Sequence, residues 1–373
     1  MNASVAVIGG GMVGAAIAYG LVRKGLDVVL IDGADTDFRS AAANFGLVWL
    51  HGKGMDMPGY QLLSRAAVAD WRSFNDELEE LTGADLQYEQ RGGLVFCLSE
   101  EALEERRTTL LRLHNQLGGE PADWEMVDRK ELGTLLPNVK LGSDVVGASF
   151  GRRDGHANPL RLLSALQAAF VKRGGRLLGG APVHSIGSTR SRGFTVGFGT
   201  EQVSADRIVI AAGLGSKSLA AQVGLDIPIR PQRGQILVTE RLEPFLPLPT
   251  MDIRQTREGT VMIGTTNEET GFDASTTTEA AATVSANALR QIPGLGEARL
   301  VRQWAGLRIM TPDGYPIYAE SGTHPGAFVA LCHSGVTLAP IHAGLIADAV
   351  ADGRLPDTLG VFHQRRFDVS QAA

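Results

Sequence analysis

Ser4-Val5-Ala6-Val7-Ile8 is a short apolar run that reads as a buried strand, and Gly9-Gly10-Gly11-Met12-Val13-Gly14 follows it without a break. The turn fits G-x-G-x-x-G. Ala15 to Lys24 reads as a helix ended by Gly25, and Asp27 to Ile31 as a second strand with Asp32 at its end. Strand, glycine turn, helix, strand and acid within about 30 residues restrict the start of the chain to a βαβ unit that wraps a dinucleotide. Gly9 allows the tight turn, Gly11 lets a pyrophosphate approach the backbone, and Gly14 lets the helix pack on the strand. Met12 and Val13, within the turn, are candidate cofactor contacts, and the N-terminus of the helix that follows offers N–H groups and partial positive charge to phosphates. Asp32, with Gly33 beside it, lies 18 residues after Gly14, near the ~20 expected of a ribose-binding acid.

The same stretch, Val5 to Val22, carries no charge over 18 residues, close to the lower limit for a membrane-spanning helix. Its glycines argue against membrane insertion. It also begins too near Met1 for the charged region of a signal peptide. The expectation is a cytoplasmic protein.

A second dinucleotide site would signal reduction by NADH. Gly213-Leu214-Gly215 follows the strand-like Ile208 to Ala212 but lacks a third glycine at the right spacing, as does Gly294-Leu295-Gly296. One ADP-binding site remains. The chain binds either NAD alone, or FAD that takes electrons from the protein's own substrate.

Composition removes other classes. Lys plus Arg number 35 against 41 Asp plus Glu, so the net charge is −6, and no basic face for nucleic acid is expected. The two cysteines, Cys97 and Cys332, exclude a disulfide scaffold and an iron–sulfur or zinc site within this chain. No His, Cys or acidic spacing suits a metal. A length of 373 residues suggests about two domains.

Further along, the chain resembles the D-amino-acid oxidase superfamily of FAD-dependent oxidoreductases, which includes glycine and sarcosine oxidases. The likeness rests on the N-terminal unit, Ser40 to Gly46 (SAAANFG), Arg152 to Leu166 (RRDGHANPLRLLSAL) and Arg207 to Ser216 (RIVIAAGLGS). Arg230 to Ile236 (RPQRGQI) and Val261 to Glu268 (VMIGTTNE) resemble substrate-domain strands. Trp304 to Ile317 (WAGLRIMTPDGYPI) and His333 to Pro340 (HSGVTLAP) are the most specific matches. Asn44 to Gly54 and Asp252 to Thr256 look more like the catalytic subunits of opine, hydroxyproline and proline dehydrogenases and of hydrogen cyanide synthase.

This resemblance implies an α/β fold: a discontinuous Rossmann-like FAD-binding domain (1–88, 142–225, 301–373) and an inserted α+β substrate domain on an antiparallel sheet (89–141, 226–300). Arg91 to Leu98 and Gln232 to Thr239 contain strand-like runs. Glu101 to Leu117 reads as a charged surface helix, and Thr276 to Ile292 as a second helix.

The resemblance also implies roles. Gly306-Leu307-Arg308 matches the motif whose arginine grips a substrate carboxylate. A guanidinium does this with its planar fork. The alternative for Arg308 is a structural pair with Asp313. Gly335, Val336, Thr337 and Leu338 precede a helix (Ile341 to Ala351) and are expected at the flavin pyrimidine edge. Ser40, Ala41, Phe45, Gly46 and Leu47 match a stretch contacting FAD phosphate and ring. Val183 matches an adenine contact, and Ala212 and Gly213 the turn beside the dinucleotide. His51 and His333 are candidates to face substrate. Where this chain has His333, glycine oxidase-like members carry a second arginine, so that contact is in doubt. Asp252 and Arg254, at i and i+2, would share one face of a strand and either hold a polar substrate arm or form a surface ion pair. Sarcosine oxidases tether flavin through a cysteine where this chain has Gly306, so FAD is expected to be noncovalent.

Gly147-Ala148-Ser149-Phe150-Gly151 fits the G-x-S-x-G of hydrolases, but Arg152 to Gly155 reads as a turn, and a nucleophile elbow needs a helix there. The expected activity is oxidation of an amino or imino acid at carbon–nitrogen. The chain acts either as a dehydrogenase subunit with small iron–sulfur electron-transfer partners, or as a free-standing or homo-oligomeric oxidase that forms peroxide.

Overall fold

The computed structural model describes residues 1–33, 40–118, 122–188 and 193–368. The strand Asn2–Ile8 pairs in parallel with Val28–Ile31 on one side and Glu201–Ile210 on the other. Arg176–Leu178 and Ala327–Leu331 extend the parallel ladder outward, and Ile317–Glu320 closes one edge antiparallel. Alternate residues of these strands enter different cores, because side chains on a strand alternate between faces. Val5, Val7, Val28 and Leu30 meet the Met12–Arg23, Pro58–Thr82 and Pro159–Lys172 helices. Ala6, Ile8, Val29 and Ile31 meet a meander of Val183–Ser188, Phe194–Phe198 and Glu201–Ile210. Both faces are covered, so the strands read as unbroken apolar runs.

A four-stranded antiparallel sheet stands apart, in the order Ile253–Gln255, Thr260–Gly264, Arg230–Arg241, Leu300–Met310. It shares a core with a three-stranded sheet of Gly93–Cys97, Gly147–Gly151 and Trp124–Asp128, through Leu94, Val127, Ala148, Leu237 and Ile263. Two strands therefore cross expected boundaries. Gly147–Gly151 and Leu300–Met310 pair with strands of the expected substrate domain, although 142–225 and 301–373 are assigned to the other. Hydrogen-bond partners decide this, and neither partner is a sequence neighbour. The expected stretch to residue 373 runs outside the described residues after 368.

Local expectations are close. Helices occupy Glu100–Gln116 and Thr278–Gln291, each started by a side-chain cap, Ser99 and Thr277. The helix expected over Ile341 to Ala351 begins at Ala339 and contains a π segment, His342–Ile346. No helix among the described residues is long and apolar enough to cross a membrane. The uncharged N-terminal stretch is instead a strand, a turn and a buried helix of 12 residues.

Candidate active site

The opening turn is built as its glycines require. Gly9 has φ +105°, and a Cβ there would collide with the Ala211 carbonyl. A Cβ on Gly14 would strike the Gly9 carbonyl. At Gly11 a Cβ would meet no atom of the described residues within 4 Å. The Met12–Arg23 helix has Gly11 as its N-cap, no side-chain cap and no acid in its first turn. Its first N–H groups are thus left for an anion. Asp32 Oδ1 accepts the Gly10 N–H at 3.0 Å, which fixes the acid at the end of its strand.

Gly9, Gly11, Met12, Val13 and Asp32 line one end of a cavity of about 1050 Å³. That is at the top of the roughly 300–1,000 Å³ range of ligand pockets, enough for a dinucleotide and a small substrate together. The cavity runs from Asp32, Gly33 and Val183, past Gly11, Ala212 and Gly213, to Gly335, Val336, Thr337 and Arg308. Ser40, Ala41, Phe45, Leu47 and Gly306 form another wall, and Ser40 Oγ donates to the Leu307 carbonyl. Gly14, Gly46 and Leu338, also expected at the cofactor, lie behind the lining. Gly14 acts on the turn, Gly46 (φ +89°) shapes the Phe45 segment, and Leu338 is fully buried.

At the far end, Arg308 Nη1 donates to the Thr266 carbonyl at 2.9 Å and Nη2 to Thr265 Oγ1 at 2.5 Å. Gly234 opposite makes room, since a Cβ there would lie 2.6 Å from the guanidinium. Asp313 is not its partner, because that carboxylate takes Arg366 at 2.7 Å. Among the described residues no carboxylate lies at ion-pair distance from Arg308. Burial pushes its pKa down and Glu268 pushes it back.

Three other expected residues are placed differently. Arg254 is buried behind the wall, where Nε donates to the Phe45 carbonyl at 2.5 Å and Nη1 lies 3.2 Å from His156 Nδ1. It shapes the wall from outside. Asp252 precedes its strand and does not share a face with Arg254. Its carboxylate accepts Gln291 Nε2 at 3.1 Å and lines a separate cavity with Asn267 and Glu268. His51 lines the main cavity, but Nδ1 is bonded to Asp154 and Nε2 to Ser149, so neither nitrogen is free for substrate. His333 opens onto the cavity and is enclosed elsewhere. That enclosure, with the Lys53 and Arg308 charges, lowers its pKa to about 4.

Lys53 and Arg106 are cavity-lining cations that sequence reasoning missed. Lys53 Nζ donates to Ser334 Oγ at 2.8 Å and Thr337 Oγ1 at 3.3 Å, and lies over the Tyr60 ring. Burial pulls its pKa down to about 8, against opposing pulls from Cys332 and Asp154. His333 is the titrating neighbour that faces it across the cavity. The ammonium is therefore lost as pH rises through about 8. Binding of acetate at this end is expected to weaken over that interval, and the inflection to vanish in Lys53→Met. Calorimetric titration of acetate across that pH interval checks both. Cys332, in the same wall, has its thiol pushed up to about 12 by burial, so it is protonated and a poor nucleophile.

The fold and cavity define a dinucleotide-binding oxidoreductase with a cationic substrate end. A model of the DAO family, FAD dependent oxidoreductases, matches residues 4–349. The chain belongs to this family. It is 42% identical over 366 residues to a protein of Agrobacterium tumefaciens (strain Ach5) named as one of the subunits of opine oxidase, covering 98% of each chain. It is 27% identical over 363 residues to glycine oxidase of Pseudomonas putida, covering 93% of this chain and 94% of that one. The crystal structure of glycine oxidase from Geobacillus kaustophilus superposes with a TM-score of 0.89 at 25% identity, over 98% of this chain and 99% of that one. The protein is thus an FAD-dependent oxidoreductase with a mixed α/β fold. The residues fit the cofactor: a glycine cradle open at Gly11, an uncapped helix N-terminus, and an acid at the ribose position.

Proposed function

We propose that this chain oxidises the carbon–nitrogen bond of an amino or imino acid, as the flavin-bearing dehydrogenase subunit of a larger assembly. The observation that carries this is Arg308, a guanidinium on the wall of the dinucleotide cavity with no carboxylate at ion-pair distance among the described residues. Gly9, Gly11 and Gly14 with the helix N-terminus would hold the FAD diphosphate, and Asp32 the ribose. Cys332 as a protonated thiol and Gly306 in place of a cysteine support noncovalent attachment.

Bound there, FAD supplies a two-electron acceptor for hydride at N5. Arg308 holds the substrate carboxylate and so orients the α-carbon. Proximity of this kind contributes a large part of a barrier reduction. The α-C–H bond breaks with its electron pair leaving as hydride, while the nitrogen lone pair closes a C=N bond. Water then adds to that carbon and the C–N bond breaks, giving a carbonyl compound and an amine or ammonia. Among the described lining residues Asp32, at the nucleotide end, is the one carboxylate. The substrate end supplies no acidic side chain as a base; among the titratable groups on its lining are His333, held neutral by its lowered pKa, and Lys53.

The assembly is supported by the relative whose name makes it one component of an opine oxidase, and by the cysteine count. Cys97 and Cys332, both buried, fall short of the four thiolates that an iron–sulfur cluster takes. Anaerobic addition of amino acids, N-methyl amino acids, cyclic imino acids and opines to the isolated chain is expected to bleach its flavin with at least one class. Re-oxidation in air should then be slow and restored by a redox dye. Fast peroxide formation would instead make the chain a free-standing oxidase.

A further inference from the structure

The Glu100–Gln116 helix turns Leu103, Arg106, Leu110 and Leu113 inward, three and four residues apart. One position of this apolar stripe is therefore an arginine. Arg106 Nε donates to Ser149 Oγ at 2.9 Å. Ser149 Oγ lies 3.0 Å from His51 Nε2, and His51 Nδ1 is bonded to Asp154. Asp154 Oδ1 is fixed by the N–H groups of Leu50 at 2.5 Å and His51 at 3.2 Å. His51, Ser149 and Asp154 are all buried.

The direction of this chain follows from its ends. A guanidinium N–H only donates, so Ser149 accepts from Arg106, and a carboxylate only accepts, so the His51 ring hydrogen sits on Nδ1 and leaves Nε2 to take the Ser149 hydroxyl. We assign the tautomer on this ground. The Gly147 to Gly151 motif gains a purpose as well. A Cβ on Gly151 would overlap the Asp154 carboxylate and the His51 ring, and one on Gly147 would press on Leu103 at 3.1 Å. Ser149 is in mid-strand, covered on all sides, with no helix after it. The Asp–His–Ser set is thus a support for Arg106 and not a nucleophile.

With Nε engaged, the outer edge of Arg106 remains. Nη2 is buried and has no hydrogen-bond partner among the described residues, and Arg106 lines the same cavity as Arg308. Nη2 is enclosed, so the nitrogen a cavity ligand reaches is Nη1, which makes no hydrogen bond among the described residues, and an anionic acceptor there gives the guanidinium the partner it lacks. We propose that Arg106, held by the Asp154–His51–Ser149 chain, is a second anion-binding residue of the substrate end and selects a substrate that carries a second acidic group. The inference rests on the reading of the cavity as an amine-oxidising site and deepens it. Arg308 takes the carboxylate next to the oxidised carbon. Arg106 takes a second one, carried on the side chain or on a nitrogen substituent.

The test uses holoenzyme and two non-oxidisable probes, glutarate with two carboxylates and butyrate with one. Binding is read by isothermal titration and by perturbation of the flavin spectrum. Wild-type protein is expected to bind glutarate about 10–100-fold more tightly than butyrate, the range for one charged hydrogen-bonding partner. Arg106→Met should collapse that ratio to within about 3-fold and leave butyrate binding unchanged, by the same reckoning. Ser149→Ala, which keeps the charge and removes its support, should give an intermediate ratio, and Arg106→Lys should restore part of the preference. Equal affinity of wild type for both probes overturns the proposal without any variant, as does an equal loss of both in Arg106→Met or Arg106→Lys that retains FAD. Flavin reduction by glutamate and by iminodiacetate then separates a second carboxylate on carbon from one on nitrogen. If no amine reduces the flavin yet glutarate preference follows Arg106, the amine-oxidising reading fails and the anion site stands. If amines reduce it with no preference, the anion site alone fails.

Discussion

Gly11→Val protein is expected to fold and to purify without flavin. Gly11 has φ −71° and ψ −173°, extended backbone that valine adopts without strain. Among the described residues no atom lies within 4 Å of a Cβ built there, and the residue lines the cavity. The protein thus loses little beyond about 0.5–1.5 kcal/mol of cap preference. The diphosphate loses its approach to the helix N-terminus. Overpacking costs ~1–3 kcal/mol where surroundings relax, so FAD affinity should fall by about 10–100-fold or more. Gly14→Val supplies the contrast, because its side chain would strike the Gly9 carbonyl and disrupt the turn itself. Flavin absorbance per mole of protein measures the first effect. Thermal unfolding of apo variant against apo wild type measures the second, since bound FAD would itself raise the wild-type midpoint. A Gly11→Val protein that stays yellow with unchanged affinity would place the diphosphate elsewhere.

The dinucleotide turn was legible because its physics is local. Strand, turn, helix and acid lie within one stretch, and each glycine answers to a neighbour a few residues away. Pairing between distant strands is a different matter. Trp304 stands opposite Ile236 and Leu94 opposite Phe150, and nothing in either run names its partner. The expected boundaries at 142 and 301 therefore divide strands from the sheets that hold them. The π segment at His342–Ile346 was equally hidden, and its close packing against the Met12–Arg23 helix has no signal in the composition of either stretch.

At the substrate end, Arg308 came from a motif, and its freedom from Asp313 came only from the folded chain. Arg106 was concealed by its surroundings. Glu100, Glu101, Glu104, Glu105, Arg107 and Arg112 surround it in the sequence, so the helix reads as solvated until Leu103, Leu110 and Leu113 are seen to face inward with it. His51 was a candidate and Asp154 only part of an expected turn, and with 103 residues between them their contact had no signal. Arg254 and Asp252 show the converse error. Alternation along a strand predicts a shared face, and Asp252 sits just before the strand begins. The inward arginine at a leucine spacing is a cue that sequence reading can use.

Arg308→Met is expected to raise the half-saturating substrate concentration by about 100-fold or more while FAD remains bound. Hydrogen bonds to a charged group contribute ~1.5–3 kcal/mol each, and a guanidinium fork makes two to a carboxylate. Both its donors rest on Thr265 and Thr266 in the absence of substrate, so the fork is held in place before binding. The limiting rate should fall as well, because the carboxylate grip is what orients the α-carbon. Methionine fills much of the same space beside Gly234, which limits repacking. Arg308→Lys keeps the charge without the planar fork and should recover part of the affinity and little of the rate. Anaerobic flavin reduction followed against substrate concentration separates the two quantities. Reduction at wild-type half-saturation in Arg308→Met would move the carboxylate to another cation of the cavity, with Lys53 and Arg106 the ones left on its lining at that end.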